Sequence, residues 1–154
     1  MKISFDLDGT LIPMGGMKFP LERMSWLQKR MGLEPLRKGT PTLFKKLQKL
    51  GHEVGIYTSS HRPVNKMRLW LLQFRIQPDF IINEALARPK IQAEGLSCPK
   101  YPPAFDIHLH IDDAQGAQLE GEKHGFAVTL VSPNDKDWEA KILEVVKALK
   151  ASHL

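Results

Sequence analysis

The sequence predicts a three-layer α/β fold built on a doubly wound parallel sheet. Short apolar runs alternate with stretches of helical periodicity along the chain. Strands separated by helices pair in parallel through right-handed crossovers. The apolar runs also end in polar residues, which is where such sheets bind ligands. The chain has 154 residues, 42% hydrophobic and 25% charged, enough for one sizeable core, so 1–154 reads as a single domain.

Lys2 to Leu7 reads as the first strand, with Ile3, Phe5 and Leu7 apolar, and it runs into Asp8-Gly9-Thr10. Leu21, Met24, Leu27 and Met31 have helical spacing and predict a helix over 21–31. Its stripe of Met24, Trp26 and Met31 is expected to pack in the core. Thr40 is expected to cap the next helix, with Pro41 in its first turn, Leu43, Phe44, Leu47 and Leu50 as its stripe, and Gly51 at its end. A second strand spans 53–58 and is followed by the loop Ser59-Ser60-His61-Arg62. Pro63 opens a helix carrying Met67, Leu69, Trp70 and Leu72. A third strand spans 80–82 and a fourth 105–111, with no element assigned between them. A helix over 115–124 stops at Gly125, a fifth strand spans 126–131, and a last helix covers 135–149.

Several classes drop out. No apolar stretch reaches the roughly 18 residues a membrane span needs. The first strand begins at once, so no signal peptide is expected ahead of it, and the default compartment is the cytoplasm. One cysteine, Cys98, excludes an intramolecular disulfide and a Cys-rich zinc site. Lys and Arg exceed Asp and Glu by 22 − 17 = 5. That balance admits anionic partners without suggesting a dedicated nucleic-acid tail. The lysines at 45, 46 and 49, and at 136, 141, 147 and 150, read as the solvent faces of helices.

The strand ends carry the chemistry. Asp6 and Asp8 are two apart, so both leave one face if the strand persists. Thr58 ends the second strand, and Asp112 and Asp113 end the fourth. Carboxylates converging on one volume repel and raise one another's pKa. Lys90 supplies one offsetting charge, with Lys100 as its rival; a hard divalent cation supplies two, and oxygen donors favour Mg²⁺. Such an ion attracts phosphate, which Thr58, Ser59 and the following N–H groups could hydrogen-bond near the start of the Pro63 helix. His61 and Arg62 stand where they could read the substrate. His108 and His110 are expected to be half-buried, hydrogen-bonded histidines rather than metal ligands.

These residues resemble the motifs of the haloacid dehalogenase (HAD) superfamily. Phe5-Asp6-Leu7-Asp8-Gly9-Thr10-Leu11 is similar to its first motif, D-x-D-G-T-L, and Gly55-Ile56-Tyr57-Thr58 to its second. Lys90 in Arg88-Pro89-Lys90 resembles the third, and Ile107 to Asp113 the fourth. The resemblance implies a Rossmann-like core and a Mg²⁺-dependent phosphatase. It implies Asp6 as nucleophile and metal ligand, and Asp8 as general acid/base whose carbonyl also binds the metal. Thr58 would bind phosphate, and Lys90 would stabilise it and orient Asp6. Asp112 would complete the metal site, with Asp113 a ligand or a group behind it. The second aspartate of the first motif favours phosphoryl chemistry over dehalogenation. Ala114-Gln115-Gly116 stands where many members carry a further acidic residue, which leaves Asp113 the whole second metal role.

Members often carry a cap domain. Here only about 13–38 is free for one, enough for a loop and one helix. The flexible Met14-Gly15-Gly16-Met17 stretch could gate the site. An open site admits a small or a large phosphorylated substrate, or closure by a second copy of the chain. Two alternatives stand beside the phosphatase: a HAD-like binding or regulatory module with little catalysis, and a phosphatase of nucleotides or nucleic-acid ends, which is not favoured.

Overall fold

A computed structural model describes residues 1–152. Five strands form one all-parallel sheet: β1 (Lys2–Phe5), β2 (Glu53–Tyr57), β3 (Ile81–Ile82), β4 (Leu109–Asp112) and β5 (Ala127–Leu130). Their spatial order is β3-β2-β1-β4-β5. The chain winds outward from β1 through β2 to β3, then returns to β4 on the other side of β1. This reversal between β1 and β4 opens a crevice at their carboxyl ends, the place where ligands bind in such sheets.

Alternation along β1 and β4 gives the sheet two unlike faces. The register pairs Ile3 with Leu109, Ser4 with His110 and Phe5 with Ile111. Side chains alternate with period two. Ile3, Phe5, Leu109 and Ile111 therefore share one face, and they join the core with Leu43, Phe44 and Leu47 of α2 (Thr40–Lys49) and Ile142 and Val146 of α6 (Trp138–Ser152). Phe5 and Phe44 pack with ring centroids 4.9 Å apart. Ser4, Asp6, His110 and Asp112 share the other face. Beside them Tyr57, Ile82, Ile107 and Cys98 form a smaller apolar cluster with Ala87 and Ile91 of α4 (Glu84–Ala93).

Three other helices complete the layers: α1 (Trp26–Arg30), α3 (Val64–Gln73) and α5 (Gln115–His124). Gly125 ends α5 in the left-handed conformation, as its position predicts. None of the described helices is long and apolar enough to cross a membrane.

The structure corrects four local expectations. The helix expected over 21–31 shrinks to α1. Leu21 is extended and bridges to Arg37, and a reciprocal cap starts the helix late: Ser25 Oγ accepts the Gln28 N–H while Gln28 Oε1 accepts the Ser25 N–H. The expected core stripe therefore lies largely on the surface, with Trp26 73% and Met31 62% exposed, while Met24 is half-buried against the core. Gly39, not Thr40, caps α2, because the chain needs a φ of 92° there; the Thr40 hydroxyl instead donates to the Arg37 carbonyl at 2.7 Å. Helix α4 fills part of the interval given no element; the Asn83 side chain caps it, and it runs through Pro89. The fourth strand starts at Leu109, after a 3₁₀ turn over Pro102–Phe105 and a left-handed Asp106.

Segment 13–38 lies on the surface but is tied down. Buried Arg37 donates to the carbonyls of Thr10 and Ser132, at 3.3 and 2.7 Å, and lies 4.7 Å from the ring centres of both Phe19 and Trp138. Trp70 Nε1–H donates to the Glu34 carbonyl at 2.8 Å. Glu34 is thereby carried toward the end of β1.

Candidate active site

Pairing of β1 with β4 brings Asp6 beside Asp112. The Asp6 N–H donates to the Ile111 carbonyl at 2.9 Å, extending the ladder by one bond. A single ammonium bridges the two carboxylates: Lys100 Nζ is 2.8 Å from Asp6 Oδ1 and 2.7 Å from Asp112 Oδ2. All three side chains are largely buried.

Lys90 does not take this place. It stands on α4, with Nζ 3.4 Å from the Ala104 carbonyl and 4.6 Å from the Phe105 ring centre, and it is exposed. The reason is the helix that Pro89 concealed: once 84–93 coils, Lys90 turns outward along its surface. Lys100 instead leaves a rigid stretch bracketed by Pro99 and Pro102-Pro103.

A buried chain of hydrogen bonds stands behind Asp112. Ser4 Oγ lies 2.8 Å from His110 Nδ1, and His110 Nε2 lies 3.0 Å from Asp112 Oδ2. We assign the neutral tautomer with Nε2–H donating to Asp112 and Nδ1 accepting from Ser4. Burial and the nearby Lys100 charge push His110 down to about 4, which agrees with that assignment. His110 is therefore fully buried, not half-buried as expected, while His108 is exposed and its Nδ1 accepts the Lys2 N–H. Burial alone would raise the Asp112 carboxyl, but the His110 hydrogen bond and Lys100 outweigh it and hold Asp112 well below the usual range. Asp6 goes the other way: burial, aided by the Asp112 charge, outweighs Lys100 and raises it to about 6.

Asp113 follows in the loop after β4. Its Oδ1 accepts the Thr10 hydroxyl at 3.0 Å, and burial raises its carboxyl above the ordinary value. Gly9 lies against this carboxylate with φ 88°; a Cβ at that position would collide with it. Carboxylate oxygens of Asp6, Asp112 and Asp113 all lie within 4.8 Å of one another. An all-oxygen donor set of this size fits a hard divalent cation such as Mg²⁺.

Asp8 does not share the Asp6 environment, because β1 ends at Phe5 and the chain turns at Leu7, whose carbonyl accepts from Leu11 and Ile12. Asp8 meets Arg62 in a bidentate pair, with Nη1–Oδ2 at 2.7 Å and Nη2–Oδ1 at 2.9 Å. The same guanidinium holds Glu34 through Nε at 3.1 Å and Nη2 at 2.7 Å. Arg62, expected to meet a phosphate, is thus engaged by two carboxylates. Glu34 was not anticipated at all. It lies in an irregular segment, and only the fold brings it near.

Thr58 is buried at the end of β2, and its Oγ1 accepts the Ser60 N–H at 3.1 Å, which leaves the hydroxyl hydrogen to donate. Exposed Ser59 joins Asp6, Asp8, Lys100 and Asp113 around a cavity of about 300 Å³. Ala117 and Phe126 give one wall an apolar character. The site thus joins an anchored anionic floor, one buried cation and a half-exposed arginine at the rim. Compared with known proteins, the chain matches no family model and no curated protein.

Proposed function

We propose that the protein is a Mg²⁺-dependent phosphatase that hydrolyses a phosphate monoester through an aspartyl phosphate on Asp6. The observation that carries this reading is the sharing of one buried ammonium by Asp6 and Asp112 at the sheet's switch point, with Asp113 within ligand distance.

Asp6, Asp112 and Asp113 would hold the cation, which when bound would neutralise charge on the phosphoryl oxygens. An Asp6 carboxylate oxygen attacks phosphorus and the ester oxygen departs, taking a proton from Asp8. Water then attacks the phosphoryl group, its proton passes to Asp8, and phosphate and the Asp6 carboxylate are regenerated. Lys100 fixes the orientation of Asp6 and faces the developing charge, the role the HAD resemblance placed on Lys90. Thr58 and Ser59 offer hydroxyl donors to phosphate. Arg62 can exchange a carboxylate for phosphate oxygens, since its fork suits both. That exchange frees Asp8 to take up the proton it must donate.

Hydrolysis of a generic aryl phosphate with and without Mg²⁺ tests the reading. Asp6→Asn is expected to lower turnover by at least ~10³-fold while leaving the fold intact. Unchanged turnover in that variant would remove Asp6 as the nucleophile. The bidentate closure of Arg62 on Asp8 favours a second reading, a binding module whose would-be acid/base group is occupied by an arginine. Absence of turnover across a broad panel of phosphorylated compounds with Mg²⁺ would favour that module.

A further inference from the structure

We propose that Cys98, Glu120 and His124 form a second metal site, selective for a borderline transition ion such as Zn²⁺ and built from residues outside the three-aspartate cluster. Glu120 and His124 are four apart near the end of α5, so they share one helix face. Cys98 is buried, in the segment that leads from α4 to Lys100. One ligand atom from each residue, sulfur, carboxylate oxygen and imidazole nitrogen, lies within 4.8 Å of the other two.

Three features point to an ion rather than to a helix ion pair. First, His124 Nε2 is 3.1 Å from Glu120 Oε2, yet this oxygen is buried and makes no hydrogen bond among the described residues. Two polar atoms facing each other without a hydrogen bond are placed as two ligands of one ion would be. Zinc bonds of about 2.0–2.3 Å at tetrahedral angles put neighbouring ligand atoms roughly 3.3–3.6 Å apart, so the Glu120–His124 separation needs only a small adjustment. Second, thiolate and carboxylate together carry the two negative charges that a divalent ion cancels, with neutral imidazole as third ligand. Third, the imidazole is braced: the Tyr101 ring lies edge-on to His124 with centroids 6.2 Å apart, and Tyr101 is itself held by its N–H donating to Tyr57 Oη at 2.8 Å.

The donor set decides the metal. Sulfur and imidazole select zinc-like ions, whereas the aspartates select Mg²⁺, so the two sites are separable by chemistry. Cys98 precedes Lys100 by two residues, and α5 begins three residues after Asp112. An ion bound here ties the loop segment that delivers the bridging ammonium to the helix behind the acidic floor. The inference does not depend on the phosphatase reading.

Co²⁺ serves as the probe, added to reduced, chelator-stripped full chain in excess Mg²⁺ to occupy the oxygen site. The expected result is one Co²⁺ per chain, a thiolate-to-cobalt charge-transfer band with tetrahedral ligand-field absorption, and displacement of both by Zn²⁺. Cys98→Ser removes the band. Glu120→Gln and His124→Ala each weaken Co²⁺ binding by at least the roughly 10–100-fold that a change behind the ligands costs. Asp113→Asn leaves the band in place. The proposal is overturned if folded wild-type protein gives no band. It is equally overturned if Glu120→Gln, the more conservative change, leaves the band at full strength, since the thiol alone then captures the metal. Circular dichroism of each variant confirms that the fold persists.

Discussion

Two bridges of the same kind, carboxylate–cation–carboxylate, stand in one site and differ in burial. In the first, Lys100 joins Asp6 and Asp112, with side-chain exposures of 12%, 11% and 3%. In the second, Arg62 joins Asp8 and Glu34, with exposures of 30%, 31% and 43%. The first is rooted in adjacent strands, so its geometry is fixed by the sheet and its members shift one another's protonation. The second links a loop end to the surface segment 13–38, and water competes for each of its members. Burial makes one bridge a scaffold; exposure makes the other exchangeable.

The largest expected effect is on the buried bridge. Lys100→Ala leaves two buried carboxylates without their cation and is expected to cost about 3–5 kcal/mol in urea unfolding. Lys90→Ala is expected to cost no more than about 1 kcal/mol, the scale of an exposed cation–π contact. Equal losses in the two variants would erase the distinction between the lysines.

Next comes the chain behind Asp112. Ser4→Ala removes the partner of His110 Nδ1 inside the protein and is expected to cost about 1–3 kcal/mol, measured by the same unfolding experiment. A cost near zero would show that the neutral tautomer is held by other means.

Asp6 and His110 also make opposite demands on pH. Asp6 is raised from 3.8 to about 6, and His110 is lowered from 6.5 to about 4. Between pH 4 and 6 the folded protein therefore keeps a proton on Asp6 that the unfolded chain has shed. Over the same range it lacks a proton on His110 that the unfolded chain carries. The first lowers stability as pH rises and the second raises it, so they oppose. The depressed Asp112 adds stability that is already present across this range and is lost only as the pH falls below the ordinary carboxylate value. In Asp6→Asn the opposing Asp6 contribution is gone while that of His110 stays, so between pH 4 and 6 stability should climb more steeply than in the wild type, by up to about 1.4 kcal/mol per unit. Parallel melting curves for the two proteins would contradict the assignment.

The smallest stability effect belongs to the exposed bridge. Glu34→Gln is expected to change unfolding free energy by only about 0–1 kcal/mol. Its effect should appear instead in salt: rising ionic strength weakens this bridge, and the variant should lose that dependence. Stability that is equally salt-sensitive in both proteins would show that the bridge is not screened as its exposure implies.

Much of this contrast was legible in the residues. The alternation Ile3, Phe5 against Ser4, Asp6 marks a strand with one polar face, and Leu109, Ile111 against His110, Asp112 marks another. A parallel sheet normally buries both faces in hydrocarbon. Two central strands that each keep a polar face therefore mark a site. His110 of the fourth strand belongs to this pattern. The α5–Gly125 boundary was equally plain, because a left-handed stop is a local requirement.

Other features were not legible. The Leu21–Met31 periodicity is real, but a periodic stripe does not say whether a core lies in front of it, and Trp26 faces solvent. Pro89 disfavours a helix over 84–93, and the burial of Ala87 and Ile91 overrides it.

Local order thus determined that the chain would alternate strands with helices, and that aspartates would gather where central strands end. Those properties depend on spacing within a few residues, and spacing is written in the chain. Which lysine stands between Asp6 and Asp112, and which carboxylates close on Arg62, were decided only by tertiary structure. A charge finds its partner by distance through space, and the fold brings Lys100, 94 positions from Asp6 in the chain, to 2.8 Å.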